Sequence, residues 1–312
     1  MHKRILVYDI LRSLLVIYIV CGWHLLDYIP KSDLEETIRI YGEDITRIVL
    51  ACFTLISGLF LSKYKITGRR DILNFYLKRL GRFYILYVIA LLLFLVTSPP
   101  WGERWLNARS FCYSIFAIST LFNIAPSTLW YINMLMLFYI VTSLILKYNT
   151  NGKLLIISAL VILLNSANVD NRILLYFHYY IIGLVLGPHR LYDTLKNQKC
   201  FLCALLIFVA LCYFPYFNGI KIFAGVILLI SAVFFIEPYI KIQLGIFFSQ
   251  VSYVSMSAYL FHRPLYYFFQ KANIPLILCS ILVFVIAYFI QRAYDFIYNK
   301  IQNKIDLKCL HN

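Results

Sequence analysis

The chain has 312 residues; 62% are hydrophobic, only 14% are charged, and the formal net charge is +15. A soluble fold of this size could not cover so much apolar surface with so few charges, so soluble classes are excluded. Nucleic acid is not the expected partner either: Lys and Arg gather in short segments between apolar runs, as the positive-inside rule expects of a membrane protein.

Runs of about 20 mostly apolar residues, the length that crosses a bilayer core, recur from end to end. They predict an all-α fold, a polytopic membrane helical bundle of about ten transmembrane helices. Short loops and the absence of a polar linker predict one membrane-embedded domain over residues 1–312, with no soluble extra domain. The eight cysteines are scattered. Cys200 and Cys203 form a C-x-x-C with no second pair and no nearby histidines. They are expected to be core residues one helical turn apart, and no metal is expected.

Span one runs from about Tyr8 to about Tyr28. Its apolar run leads to Trp23-His24 rather than to a small-residue cleavage site, so it is read as a retained helix. Lys3, Arg4 and Arg12 lie at its leading end, and Asp33, Glu35, Glu36, Glu43 and Asp44 follow it. Basic before and acidic after puts the N terminus in the cytoplasm. Span two covers about Ile45 to Lys63. The loop after it holds the densest basic cluster of the chain: Lys63, Lys65, Arg69, Arg70, Lys78, Arg79 and Arg82. Span three is about Phe83 to Val96 and leaves through Ser98-Pro99-Pro100-Trp101.

Phe111 to Ile124 is apolar over only about 14 residues, short for a span. A crossing there would put Lys147, Lys153, His189, Arg190, Lys196 and Lys199 outside, and without one they all fall inside. The segment is therefore read as re-entrant or interfacial. The remaining spans are about 129–146, 154–168, 173–187, 201–217, 220–239, 247–270 and 274–298. Lys300, Lys304 and Lys308 then put the C terminus inside too. No inverted repeat is visible, which weakens the case for a secondary transporter.

Ionisable groups within a span usually face a cavity or a partner. Arg12 lies near one end of span one and His24 near the other. Further landmarks follow in order. Phe53-Thr54-Leu55-Ile56-Ser57-Gly58 lies in span two, and Lys78-Arg79-x-x-Arg82-Phe83-Tyr84 opens span three. Leu129-Trp130-Tyr131 opens the next span, and Tyr179-Tyr180-Ile181-Ile182-Gly183 comes later. Ser252-Tyr253-x-Ser255-x-Ser257-x-Tyr259-Leu260-Phe261-His262-x-Pro264 stands near the end.

This order resembles the acyltransferase-3 family of integral-membrane O-acyltransferases, over essentially the whole chain. The resemblance implies transfer of an acyl group, usually acetyl from acetyl-CoA, to a sugar hydroxyl of a surface glycan. The implied setting is a bacterial plasma membrane, and the implied partners are acyl-CoA, membrane lipid and a polysaccharide or lipid-linked saccharide. A polysaccharide or lipid-linked glycan exporter, or a glycan polymerase, is the competing reading, because arginines and aromatics within spans suit both.

Physical chemistry assigns candidate roles. Coenzyme A is a polyanion whose phosphates need guanidinium or ammonium partners at the inner face. Arg12, Lys78, Arg79 and Arg82 are placed there. Their competing readings are positive-inside anchoring and, for Arg12, a structural pair with Asp9 at i, i+3. A sugar hydroxyl needs a base with a pKa near neutrality, and histidine supplies one. His24 and His262 both fall in the outer halves of their spans, as base or transient acyl carrier and as its assistant. Packed structural histidines are the alternative. Pro264 removes a helix hydrogen bond beside His262, which suits a cavity wall. Trp130 and Tyr131 are candidates to stack on a sugar, against an aromatic-belt role. Ser57-Gly58 is read as close helix packing rather than as a nucleophile. His178 is unassigned, and His189 is read as a loop residue. Arg12, Arg79, Arg82 and His24 are expected to converge on one cavity.

One departure from the family pattern is informative. The family usually has ten residues between the arginine and histidine of span one; here there are eleven, Ser13 to Trp23. Eleven α-helical steps advance about 20° past whole turns, but twelve advance about 120°, which takes the pair off a shared face. A single π-bulge absorbs the extra residue. One is predicted between Leu14 and Trp23, where Gly22 lowers its cost.

Overall fold

The computed structural model describes residues 6–28, 36–97, 108–122, 124, 126, 128–148, 150–166, 170–212 and 218–310. Every regular element among these residues is helical. Lys3, Arg4, Asp33, Glu35 and the Ser98–Trp101 exit loop lie outside them.

Helix α1 (Leu6–Ile17) continues through a π turn (Tyr18–Gly22) and a 3-10 turn (Trp23–Tyr28). Helix α2 (Glu36–Leu61) runs antiparallel to it: the Tyr18 hydroxyl meets Gly42 at one end, and the Tyr8 ring packs edge-on to Phe60 at the other. Helix α3 (Arg69–Tyr76) passes through a second π turn (Leu77–Gly81) into α4 (Arg82–Thr97). After α5 (Ala108–Ile115) come α6 (Leu129–Lys147), α7 (Thr150–Ser166), α8 (Asn171–Leu195), α9 (Gln198–Cys212) and α10 (Asn218–Ile236). The long helices α11 (Ile242–Lys271) and α12 (Leu276–Leu310) complete the order.

Seven helical stretches are long and apolar enough to cross a membrane: Leu6–Leu26, Arg39–Leu61, Arg69–Thr97, Leu129–Lys147, Gly219–Tyr239, Ile242–Lys271 and Leu276–Lys300. Each falls on an expected span. The other three expected spans fall on α7, α8 and α9. In α7 the apolar helix is the short Ile156–Asn165, and α8 and α9 are bent by 100° at their junction. Inside α8, Gly187 takes φ 70°, a left-handed value that glycine tolerates, just before Pro188, which lacks a helix donor.

The basic cluster after α2 is mostly helix rather than the expected loop: only 62–68 is non-helical. The Asp71 carboxylate accepts from the backbone N–H groups of Thr67 and Gly68, at 2.9 and 3.0 Å, and so starts α3 immediately. His189, expected in a loop, lies within α8 beyond its break. Cys200 and Cys203, expected in the core, are half-buried and exposed, because α9 buries little more than Ala204.

Residues 108–122 double back as the re-entrant reading predicts. Helix α5 has 8 residues, about 12 Å, far short of a bilayer core. Ala117 at φ 56° reverses the chain, and the Tyr113 and Phe122 rings stack at 4.6 Å. The Tyr87 hydroxyl, midway along the α3–α4 span, donates to the Ser114 carbonyl at 2.6 Å.

Helix α2 packs on α8 with the backbones in direct contact. A Cβ added at Gly58 would run into the Tyr180 carbonyl oxygen, and one added at Gly183 into that of Leu55. The two glycines interlock reciprocally, a small-residue contact of the kind that membrane helices use where lipid supplies no hydrophobic drive. Gly58 is thus a packing residue, as expected. This contact fixes the start of α8, with Arg172 and Tyr176, against the start of α2, with Glu43 and Arg47.

Candidate functional site

The π turn that the arginine-to-histidine spacing predicts is present at Tyr18–Gly22, marked by the Trp23 N–H reaching back to the Tyr18 carbonyl. Its consequence is alignment. Arg12 and His24 both turn toward α11, although twelve regular α-helical steps would separate them by about 120°. The Tyr266 hydroxyl of α11 donates to the Val20 carbonyl inside the turn at 2.9 Å, so α11 also supports the irregular backbone.

Near the start of α1, two pairs at i, i+3 face one another. Ser252 Oγ donates to Asp9 Oδ1 at 2.8 Å, and Arg12 Nη2 donates to Ser255 Oγ at 3.1 Å. The Ser255 hydroxyl in turn donates to the Ser252 carbonyl at 2.8 Å. These contacts clamp α1 to α11 and aim the Arg12 guanidinium, which is itself only partly buried, at a cavity of about 650 Å³. Lys63, Tyr64 and Arg79 line this cavity from the ends of α2 and α3, and Phe53, Ile56, Phe83 and Leu135 form its apolar walls. Arg79 is held by its Nε–H to the Tyr64 hydroxyl at 2.8 Å, with the guanidinium 4.9 Å from the Tyr64 ring centre.

At the far ends of the same two helices, His24 and His262 meet. His24 Nδ1 and His262 Nε2 are 2.6 Å apart, and His262 Nδ1 lies 2.8 Å from the Tyr259 carbonyl oxygen. His262 is fully buried and His24 only 8% exposed. The carbonyl can only accept, so His262 Nδ1 carries a proton. With both rings neutral, His262 Nε2 then accepts from His24 Nδ1–H, and the lone pair of the pair is left on His24 Nε2. That nitrogen is the one left able to accept a proton. Helix α11 continues through Pro264 without ending there, so the proline trims one hydrogen bond rather than breaking the helix.

His24 lines a second pocket, of about 220 Å³, together with Glu43, Arg47, Trp130, Arg172 and Arg263. Here the sequence expectation needs correcting. Arg12, Arg79, Arg82 and His24 do not share one cavity. Arg12 and Arg79 open onto the larger one and His24 onto the smaller, at opposite ends of α1. Arg82 opens onto neither; its Nη2 donates to Asp295 Oδ1 of α12 at 2.7 Å. Lys78 is exposed and lines neither, because adjacent helical residues point in directions about 100° apart and it is Arg79 that faces the cavity. Trp130 and Tyr131 are also split. Adjacent helical residues differ by about 100°, so Trp130 faces the His24 pocket while Tyr131 faces the Arg12 cavity. Tyr259 lines both, and its ring lies 5.7 Å from that of Tyr131, forming the partition between them. Among the described residues no group of three His, Cys, Asp or Glu side chains could hold a metal ion.

A family model described as an acyltransferase domain matches residues 5–291, nearly the whole chain. The chain belongs to the acyltransferase-3 family. No curated protein and no solved structure matched it. Membership makes the chain an acyltransferase, which favours transfer over glycan export or polymerisation, and its apolar helices make it a multi-pass membrane protein. The geometry of this acyltransferase also adds residues that sequence reasoning passed over. Lys63 read only as part of the basic cluster after span two, and Arg47 drew no reading. Arg172 had no signal beyond its place after Asp170, and Tyr259 stood out only as part of the motif around His262.

Proposed function

We propose that this acyltransferase moves an acyl group, acetyl being the expected one, from acyl-CoA to a sugar hydroxyl of a bacterial surface polysaccharide or its lipid-linked precursor. The observation that carries the reading is the pairing of a cation-rimmed, apolar-walled cavity with a histidine pair along the same α1–α11 contact. Arg12 and His24 are twelve residues apart, about 18 Å along a helix. A donor gripped at one and reacting near the other must carry its anionic head and its reactive carbon at opposite ends of an extended arm. Acyl-CoA has that form. Arg12, Lys63 and Arg79 suit its phosphates, and Phe53, Ile56 and Leu135 suit the arm. By the positive-inside rule this end of the bundle faces the cytoplasm.

In the transfer step His24 Nε2 removes the proton of the sugar hydroxyl as its oxygen attacks the thioester carbonyl. The carbon–sulfur bond breaks, and the thiolate leaving group takes the proton back from His24. His262 holds His24 in the required tautomer. An acyl-histidine route places the acyl group first on the same nitrogen. A strain lacking the gene tests the reading by mass spectrometry of its surface glycans. We expect acetyl groups to disappear, to return with the wild-type gene, and to stay absent with His24→Ala. Unchanged acetylation in the deletion strain would overturn the proposal.

A further inference from the structure

We propose that the acceptor carries an anionic group close to the hydroxyl that is acylated, and that Arg47, Arg172 and Arg263 bind it. This inference rests on the acyl-transfer reading above and concerns the small pocket on which His24 opens. Three arginines and one carboxylate, Glu43, line a space of about 220 Å³, roughly the volume of seven water molecules. A neutral sugar ring needs hydroxyl-binding carboxylates and amides. It does not need three guanidinium groups gathered beside one histidine.

The guanidinium groups are also arranged as a receptor. Arg263 is only 7% exposed and directly follows His262, so its charge is built in beside the histidine pair. Arg172 is pinned as a flat plate. Its Nε lies 2.8 Å from Asp170 Oδ2, and its guanidinium carbon lies 4.4 Å from the Trp130 ring centre. It is nevertheless 46% exposed and lines the pocket. Arg47 is 45% exposed, and its carboxylate neighbours Glu43 and Asp44 stand off at 3.9 and 4.0 Å, the outer limit of an ion pair. A carboxylate or phosphate replacing those long contacts would gain bidentate, charge-assisted hydrogen bonds.

Two sources supply such chemistry: the carboxylate of an acidic sugar, or the phosphate that links a saccharide to a lipid carrier. The test uses the surface glycan of the producing cell, stripped of O-acetyl groups and offered with acetyl-CoA to the purified full-length protein. It is offered in three forms: lipid-linked and intact, carboxyl-reduced, and released from its lipid phosphate. We expect transfer to the intact form to exceed transfer to one of the neutralised forms by at least about tenfold, the form that fails naming the source. Arg47→Gln and Arg172→Gln, both at partly exposed sites that spare the buried Arg263, are expected to raise KM for the intact glycan and close that gap. Equal transfer to all three forms by wild-type protein would overturn the inference while leaving acyl transfer standing. No transfer to any form would overturn both.

Discussion

At the scale of single residues, the chemistry depends on which ring nitrogen holds a proton. The Tyr259 carbonyl decides it for His262, and His262 decides it for His24. In the proposed transfer His262 is therefore a positioning residue, and its variants are expected to separate by hydrogen-bonding capacity rather than by size. His262→Ala removes the acceptor for His24 Nδ1–H and is expected to cost about tenfold to a hundredfold in kcat, less than the roughly 10²–10⁴-fold of a general base because His24 itself remains. His262→Gln keeps an accepting oxygen and is expected to recover most of that loss, with KM for acyl-CoA unchanged in both. Equal loss in both variants would reduce His262 to a packing role. Both histidines were legible in the sequence because ionisable groups are rare in membrane spans. Their direct contact was not, since 238 residues separate them and no local pattern records which helix faces which.

At the scale of elements, the first helix shows sequence arithmetic becoming geometry. One residue beyond the family's usual spacing is absorbed by the π turn at Tyr18–Gly22. Deleting Cys21, inside the turn, is expected to convert it to regular α-helix and to keep Arg12 and His24 aligned, with activity within about threefold. Inserting one alanine after Leu14, outside the turn, adds a step that the existing π turn does not absorb, rotates Arg12 by about 100° relative to His24 and is expected to abolish transfer, read by acetylation of surface glycan. The second π turn, at Leu77–Gly81, carried no such signal, because no partner residue of known spacing flanks it. The glycine contact between α2 and α8 was half legible. Ser57-Gly58 read as packing, but its partner Gly183 emerged only from the fold. Gly58→Val is expected to cost about 1–3 kcal/mol by overpacking, seen as a lowered melting temperature in detergent. An unchanged melting temperature would show that α2 and α8 can part without penalty.

At the scale of the whole molecule, the all-helical, multi-pass character follows from apolar runs, which are a property of sequence. Cavities are properties of packing. No local pattern puts Trp130 and Tyr131 on opposite sides of a partition, or joins Arg172 to His24. The proposed function divides the labour along α1: the donor grip at the Lys63 and Arg79 end, the acceptor pocket at the Glu43 and Arg172 end, and Tyr259 between them. Sided reconstitution tests this most directly. Protein inserted in one orientation in lipid vesicles receives labelled acetyl-CoA on one face and acceptor glycan on the other, and labelled glycan is counted. The account predicts transfer only when acetyl-CoA is given at the Lys63 and Arg79 face, and none with His24→Ala. Equal transfer from either face, or transfer surviving His24→Ala, would contradict it.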